Sequence, residues 1–112
     1  LKINDWDLNR IMGNLIDNAI EALQNYEEKK NIEVLIDKNG GNYIFEVKSI
    51  GILIPQKVEE NIFKENYTSK DKPGHGLGLN ICQELVDNYQ GQIYISKNKQ
   101  VPSTSFIVEI PE

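Results

Sequence analysis

Cysteine, histidine and long apolar runs are all scarce in this sequence of 112 residues. The single cysteine, Cys82, excludes an internal disulfide, which fits a reducing compartment. The longest apolar run, Ile50 to Pro55, is far too short to span a bilayer, and no charged-then-apolar signal peptide opens the chain. We therefore expect a cytoplasmic domain that does not itself cross a membrane.

Positively charged residues are outnumbered, since the chain has 12 Lys and Arg against 17 Asp and Glu and a net charge of -5. Sequence-independent binding of nucleic acid needs clustered Lys and Arg, so we expect no nucleic-acid partner. A hydrophobic share of 39% and a charged share of 26% are ordinary for a globular protein. The length suits one domain with one core, and we expect it to span residues 1–112.

Apolar periodicity predicts the helices. Asn4 or Asp5 can cap a first helix that runs to about Lys29, because apolar residues then recur at helical spacing: Leu8, Ile11, Met12, Leu15, Ile16, Ala19 and Leu23. A short helix is predicted from Gln56 to Phe63. A later helix, with Gly91 as its stop, has one apolar stripe made of Ile81, Cys82, Leu85, Val86 and Tyr89.

Alternating apolar and polar residues predict two pairs of strands. The first pair lies on either side of the turn Asn39-Gly40-Gly41 and carries Ile32, Val34, Ile36, Tyr43, Phe45 and Val47. The second pair is predicted at Ile93 to Lys97 and Thr104 to Ile110. The order of helix, hairpin, long loop, helix and hairpin predicts an α+β two-layer sandwich, with a mostly antiparallel mixed sheet and helices on one face.

Two asparagines stand beside the apolar stripe of the first helix. Asn14 and Asn18 are four residues apart, so they lie on one helix face, about 40° apart by helical geometry. Asparagine is a mediocre helix former, so this pair calls for an explanation. The two amides are either solvated or capping groups, or neutral oxygen ligands for a magnesium ion already neutralised by phosphates.

A glycine-rich loop precedes the later helix, with three glycines at alternate positions from Gly74 to Gly78. Glycine lets backbone N–H groups approach phosphate oxygens, and a helix N-terminus adds a favourable dipole. The loop is neither the dinucleotide-binding fingerprint nor a P-loop, because the spacing differs and no Gly-Lys-Ser/Thr follows.

Three segments, in order and covering nearly the whole chain, resemble the sequence boxes of the GHKL ATPase superfamily. Asp7 to Ala22 is similar to the N box of histidine kinases, Ile62 to Lys70 to the F box, and Gly74 to Leu79 to the second glycine box. The resemblance implies a Bergerat-type fold and the ATP-binding catalytic domain of a sensor histidine kinase. The short lid and the ending Asn-Ala-Ile-Glu-Ala of the N box look most similar to the quorum- and peptide-sensing subgroup.

The same resemblance implies roles for single residues. Asn18 is expected to be the magnesium ligand, with Asn14 supporting it or holding a water. Relatives that hydrolyse ATP carry a glutamate base at position 14, and an amide cannot take a proton from water, so poor ATP hydrolysis is implied. Lys70 is expected to contact the phosphates. The other expected nucleotide contacts are Ser49, Gly51, Ile54, Gly74, His75, Gly76, Leu77, Gly78 and Leu79, although Ile54, Leu77 and Leu79 can instead be core.

The first glycine box departs from the family pattern Asp-x-Gly-x-Gly. Here Ser49 stands where the adenine-binding aspartate is expected, and Leu53 stands where the second glycine is expected. This departure predicts weaker or less selective nucleotide binding.

The leading hypothesis is a kinase domain that binds Mg-ATP and phosphorylates a histidine of an adjoining helical dimerisation domain. Its implied context is a response regulator downstream and a membrane-bound homodimeric parent. The isolated chain is expected not to autophosphorylate, because His75 is poorly placed as an acceptor. Two alternatives stay open. One is a serine kinase of the anti-sigma-factor type, and the other is a degenerate, non-catalytic module that binds a nucleotide or a partner.

Overall fold

The computed structural model describes residues 3–24, 31–63 and 77–112. Within these ranges the chain forms three helices and four strands, in the order α1 (Asp5–Gln24), β1 (Asn31–Asn39), β2 (Asn42–Ile50), α2 (Gln56–Asn61), α3 (Leu77–Asn88), β3 (Gln92–Asn98) and β4 (Ser103–Pro111). None of these described helices is both long enough and apolar enough to cross a membrane.

The helix α1 begins where the sequence predicts it. Asn4 is the cap, since its side-chain oxygen accepts a hydrogen bond from the backbone N–H of Asp7 at 2.9 Å. The predicted apolar stripe faces inward, and its most deeply buried members, each at most 1% exposed, are Ile11, Leu15 and Ala19. The predicted end of this helix near Lys29 lies outside the described residues.

The hairpin of β1 and β2 forms around the predicted glycine turn. Asn39 pairs with Asn42, so the loop between the strands is Gly40-Gly41. Gly40 has a φ of 63°, and a positive φ at the first position of a two-residue loop is typical of the hairpin turns that match strand twist. Glycine adopts this conformation without the steric cost of a Cβ.

The four described strands form one sheet in the order β1-β2-β4-β3, and every pairing among them is antiparallel. Side chains alternate between the two faces of a strand. One face carries the buried apolar residues of the central strands, namely Phe45, Val47, Phe106, Val108 and Ile110. The helices α1 and α3 pack against this face, and their stripes close a single core. The predicted α+β two-layer sandwich is therefore confirmed.

The end of α3 differs in detail from the prediction. The helix ends at Asn88, and the left-handed residue that follows is Gln90, with a φ of 61°. The N–H of Gly91 donates to the carbonyl of Val86 at 2.9 Å, and that of Gln90 donates to Asp87 at 2.9 Å, which is a Schellman motif. Gly91 is needed for another reason, because a Cβ there would lie 2.4 Å from the backbone oxygen of Glu109.

Candidate functional site

The helices α1 and α3 run in opposite directions. Near the N-terminus of α1, Asp7 accepts a hydrogen bond at 2.5 Å from the hydroxyl of Tyr89, just past the C-terminus of α3. Further along, the Cys82 thiol lies 3.6 Å from the carbonyl oxygen of Ile11. The C-terminal half of α1 and the N-terminus of α3 therefore lie at the same end of the molecule.

The C-terminal end of β3, near Lys97, lies at this same end of the molecule. The short connection through Gly91 leads from the C-terminus of α3 straight into β3, so the helix and the strand are antiparallel. The strand rises about 17 Å from Gln92 to Lys97, and α3 is about as long, at 1.5 Å per residue. Asn18 also lies about 17 Å along α1 from Asp7. These lengths place Asn18 in the half of α1 that lies toward the first turn of α3 and that end of the sheet.

The predicted asparagine pair lies along this helix interface. Asn14 and Asn18 are both half-buried, between the exposed face of α1 and its core stripe. Asn14 has a partner within the fold, because its side chain hydrogen-bonds with the Cys82 thiol. Asn14 therefore contributes to helix packing whatever else it does, and Asn18 is one turn nearer the N-terminus of α3.

Cys82 is a core residue, as its place on the apolar stripe predicts. The side chain is fully buried, and burial raises the pKa of its thiol to about 11. The hydrogen bond from Asn14 and the charge of Arg10 oppose this rise only in part. A thiol is nucleophilic only after it loses its proton, so Cys82 is unreactive at neutral pH.

At the same end of the sheet, the apolar core gives way to a polar row. Ser49 pairs with Thr104, and Thr104 pairs with Lys97, so the three side chains share the face that carries the helices. Ser49 is 3% exposed and Thr104 is 1% exposed. The departure at Ser49 is therefore a buried hydroxyl that continues the core face of β2, at the place where the first glycine box begins.

The segment after β2 is held to this polar row. Gly51 has a φ of 101°, which only glycine adopts readily, and its N–H donates to the carbonyl of Pro102 at 2.6 Å. The hydroxyl of Thr104 donates to the carbonyl of Ile52 at 2.8 Å and accepts from the N–H of Ile54 at 3.2 Å. The retained glycine of the first glycine box is therefore explained by its backbone conformation.

Sequence reasoning missed Thr104 and two charged residues of this region. Lys97 lies 2.8 Å from the carboxylate of Glu59 in α2 and donates to the carbonyl of Ile54 at 3.3 Å. One signal was available for Thr104, since it is the polar member of an alternating series whose other members are Phe106, Val108 and Ile110. Nothing in the sequence pairs Glu59 with Lys97, because they lie on elements that only the fold brings together.

The remaining predicted site residues differ in burial and in whether the structure describes them. Ile54 is half-buried beside the polar row, whereas Leu79 is fully buried in the core, which favours the core alternative for Leu79. Leu77 and Gly78 begin α3, although only their backbone is described. Four further predicted contacts lie outside the described residues, and they are Lys70, Gly74, His75 and Gly76.

Apart from the ion pair of Lys97 and Glu59, the described part of the site offers neutral oxygens. Among residues 3–24, 31–63 and 77–112, no group of three or more His, Cys, Asp or Glu side chains could hold a metal ion. Amide oxygens are weak ligands alone, but they suit a magnesium ion whose charge is already balanced by phosphates. The N-terminus of α3 at the same end favours an anion. The residues present therefore fit a magnesium–phosphate ligand better than a bare cation.

In a comparison with protein families, residues 4–112 match the model of the histidine kinase-, DNA gyrase B- and HSP90-like ATPases. The chain is 34% identical to the sensor histidine kinase CitA of Klebsiella pneumoniae over 99% of its own length and 20% of that protein. It is 33% identical to the heme sensor protein HssS of Staphylococcus haemolyticus over 97% of its length and 23% of that protein. The chain thus spans about a fifth of the length of these relatives.

Solved structures support the same fold. The nucleotide-free catalytic domain of the histidine kinase ThkA is 31% identical and superposes with a TM-score of 0.78, over 94% of this chain and 66% of that one. The mycobacterial sensor histidine kinase MprB superposes with a TM-score of 0.81 at 21% identity, over 99% of this chain and 76% of that one, which bears on the fold alone.

Proposed function

Because this chain belongs to the family of histidine kinase-, DNA gyrase B- and HSP90-like ATPases, we propose that it binds Mg-ATP and donates the γ-phosphoryl group to a histidine of an adjoining helical dimerisation domain. The observation that carries the proposal is the convergence at one end of the fold. What supports it is that the C-terminal half of α1, which carries Asn18, lies at the same end as the N-terminus of α3 and the buried hydroxyls of Ser49 and Thr104. A nucleotide needs such a combination of metal ligand, anion site and base contact.

In this proposal Asn18 would hold the magnesium ion, which would supply positive charge to balance the phosphates. Asn14 supports that face of α1 through its hydrogen bond to Cys82. No carboxylate stands at position 14, so no general base is available there to activate water. Slow hydrolysis suits a kinase, because the γ-phosphoryl group is then kept for the histidine.

The base end of the nucleotide is assigned to Ser49, Gly51 and Ile54, with Thr104 beside them. Six residues stay predicted phosphate or pocket contacts from the family resemblance: Lys70, Gly74, His75, Gly76, Leu77 and Gly78. The membrane-bound homodimeric parent and the response regulator are likewise part of the proposal. Placement in the quorum- and peptide-sensing subgroup also stays a prediction, and the relatives named above include sensors of other kinds.

The proposal is tested by calorimetry with a non-hydrolysable ATP analogue, with and without magnesium. We expect tighter binding with magnesium, and we expect Asn18→Ala to lower the affinity in magnesium by about tenfold or more, as loss of a metal-site residue does. Asn9→Ala is the matched control, since Asn9 lies on the exposed face of the same helix. Native magnesium dependence in Asn18→Ala, within about twofold, would overturn the ligand assignment.

A protein that bound no nucleotide at all would instead support the alternative of a non-catalytic partner-binding module. The serine-kinase alternative is separated by the product, because phosphohistidine is labile in acid and phosphoserine is not. The chain joined to its helical domain is expected to yield the acid-labile form.

A further inference from the structure

The segment of residues 51–55 leaves β2 at Ile50 and continues to α2 without a strand partner among the described residues. Its first N–H, that of Gly51, donates to the carbonyl of Pro102. The backbone groups of Ile52 and Ile54 are instead bound by side chains of β4 and β3. The hydroxyl of Thr104 bonds to both Ile52 and Ile54, and the ammonium of Lys97 bonds to the carbonyl of Ile54. Both backbone polar groups of Ile54 are thus satisfied by side chains.

Lys97 makes a second contact that joins α2 to the same place. Its ammonium lies 2.8 Å from Glu59 Oε1, an oxygen with almost no exposed surface. The contact acts through charge, since that oxygen has no aligned hydrogen bond. The side chains of Lys97 and Glu59 are only 20% and 30% exposed. The chain has a natural control in the ion pair of Lys38 and Glu112, whose side chains are 48% and 49% exposed.

We propose that Lys97 is a positioning residue for the base-binding wall of the nucleotide site. Through Ile54 and Glu59, Lys97 fixes residues 51–55 and α2 to the end of the sheet. In this proposal its effect on the nucleotide is indirect, through those two groups. This inference rests on the proposed nucleotide binding, and it adds a residue that belongs to none of the sequence boxes.

The position of Lys97 in the fold predicts which end of the nucleotide loses contacts when Lys97 is replaced. The residue lies on β3 and acts through the segment that continues from Ser49, whereas the magnesium ligand Asn18 lies on α1. Loss of Lys97 is therefore expected to weaken contacts to the base and to leave the metal end unchanged. A general loosening of the fold would weaken both ends together.

The test is the dissociation constant of a non-hydrolysable ATP analogue, measured with and without magnesium for the native chain and for Lys97→Met. We expect Lys97→Met to weaken binding about tenfold, as loss of one charge-assisted hydrogen bond does. The ratio of the constants without and with magnesium is expected to keep its native value. Lys97→Arg should recover most of the affinity, since arginine keeps the charge and the donors.

Two further variants complete the design. Lys38→Met removes the exposed ion pair and is expected to change the nucleotide constants by less than about twofold. Glu59→Gln keeps the bond from Lys97 to Ile54, so it is expected to cost less affinity than Lys97→Met. If Lys97→Met fails to fold by circular dichroism, Lys97→Gln replaces it, with the same expected direction.

The results separate the two proposals. A native chain that binds the analogue while Lys97→Met binds it equally well overturns the role of Lys97 alone. The role of Lys97 is also overturned if Lys97→Met lowers the ratio of the dissociation constants without and with magnesium. The loss of affinity would then not be confined to the base end of the nucleotide. A native chain that binds no nucleotide overturns the proposed function, and the role of Lys97 falls with it.

Discussion

Ser49 is the residue at which the proposed nucleotide site departs from the family pattern in its base contact. It is buried on the core face of β2, between Ile32 and Thr104 in neighbouring strands. The 6-amino group of adenine is a donor and needs an acceptor. A carboxylate only accepts, whereas a hydroxyl can rotate to donate or accept. In the proposed site, Ser49 is therefore expected to discriminate less well than aspartate against the 6-oxo group of guanine.

We therefore predict that Ser49→Asp tightens ATP binding by somewhat under tenfold, corresponding to about 1 kcal/mol for a charge-assisted acceptor. The same change should weaken GTP binding. The measurement is the pair of dissociation constants in both proteins. Ser96→Asp, on the exposed side of β3, controls for added charge. Weaker ATP binding by a folded Ser49→Asp protein would show that Ser49 does not face the base.

At the scale of elements, the connection from α3 to β3 sets the orientation of both. The left-handed residue of the Schellman motif is Gln90, and a left-handed residue with a Cβ costs about 1–2 kcal/mol. Gly91 lies against the carbonyl of Glu109, where no Cβ fits. A different physical cause therefore favours glycine at each position. At Gln90 it is the left-handed backbone conformation, and at Gly91 it is the close contact with Glu109.

Opposite stability changes are predicted at these adjacent positions. Gln90→Gly should raise the free energy of unfolding by about 0.5–1 kcal/mol, because glycine accepts the left-handed conformation. Gly91→Ala should lower it by about 1–3 kcal/mol through overpacking. Gly41→Ala is the control, since a Cβ there meets no atom within 4 Å. Urea unfolding measures all three, and a stable Gly91→Ala protein would contradict the close approach to Glu109.

At the scale of the whole molecule, the chain spans about a fifth of the length of the sensor kinases that it matches. In phosphoryl transfer, positioning of the acceptor supplies much of the catalysis. In the proposed function the site described above places the nucleotide, and the acceptor histidine belongs to another domain. We therefore expect transfer to need both domains.

We predict that the isolated chain incorporates no stable phosphate from radioactive ATP. Its one histidine, His75, stands in the glycine-rich sequence Gly74 to Gly78 and does not follow the apolar pattern of a dimerisation helix. Adding the helical dimerisation domain in trans should produce acid-labile labelling of that domain. Labelling of the isolated chain would contradict this prediction, and a His75→Gln variant would show whether His75 itself was the acceptor.

The sequence by itself determined the local structure. The period of the apolar residues decided which segments are helices and which are strands, because each element must bury one face. The cap at Asn4 and the turn at Gly40-Gly41 also follow from local chemistry. The sequence predicts less at the end of α3, where it indicates Gly91 as the helix stop, because the close contact of Gly91 comes from Glu109 in another strand.

Only the tertiary structure decided what lies at the polar end of the sheet. The family resemblance pointed to Asn18 and Ser49, but the sequence alone could not show Ser49 to be buried or show which end of the sheet it occupies. Thr104, Lys97 and Glu59 escaped notice because each gains its role from a residue at least 38 positions away in the chain, as Glu59 does from Lys97. Such contacts depend on strand register and helix direction, which local propensities do not specify.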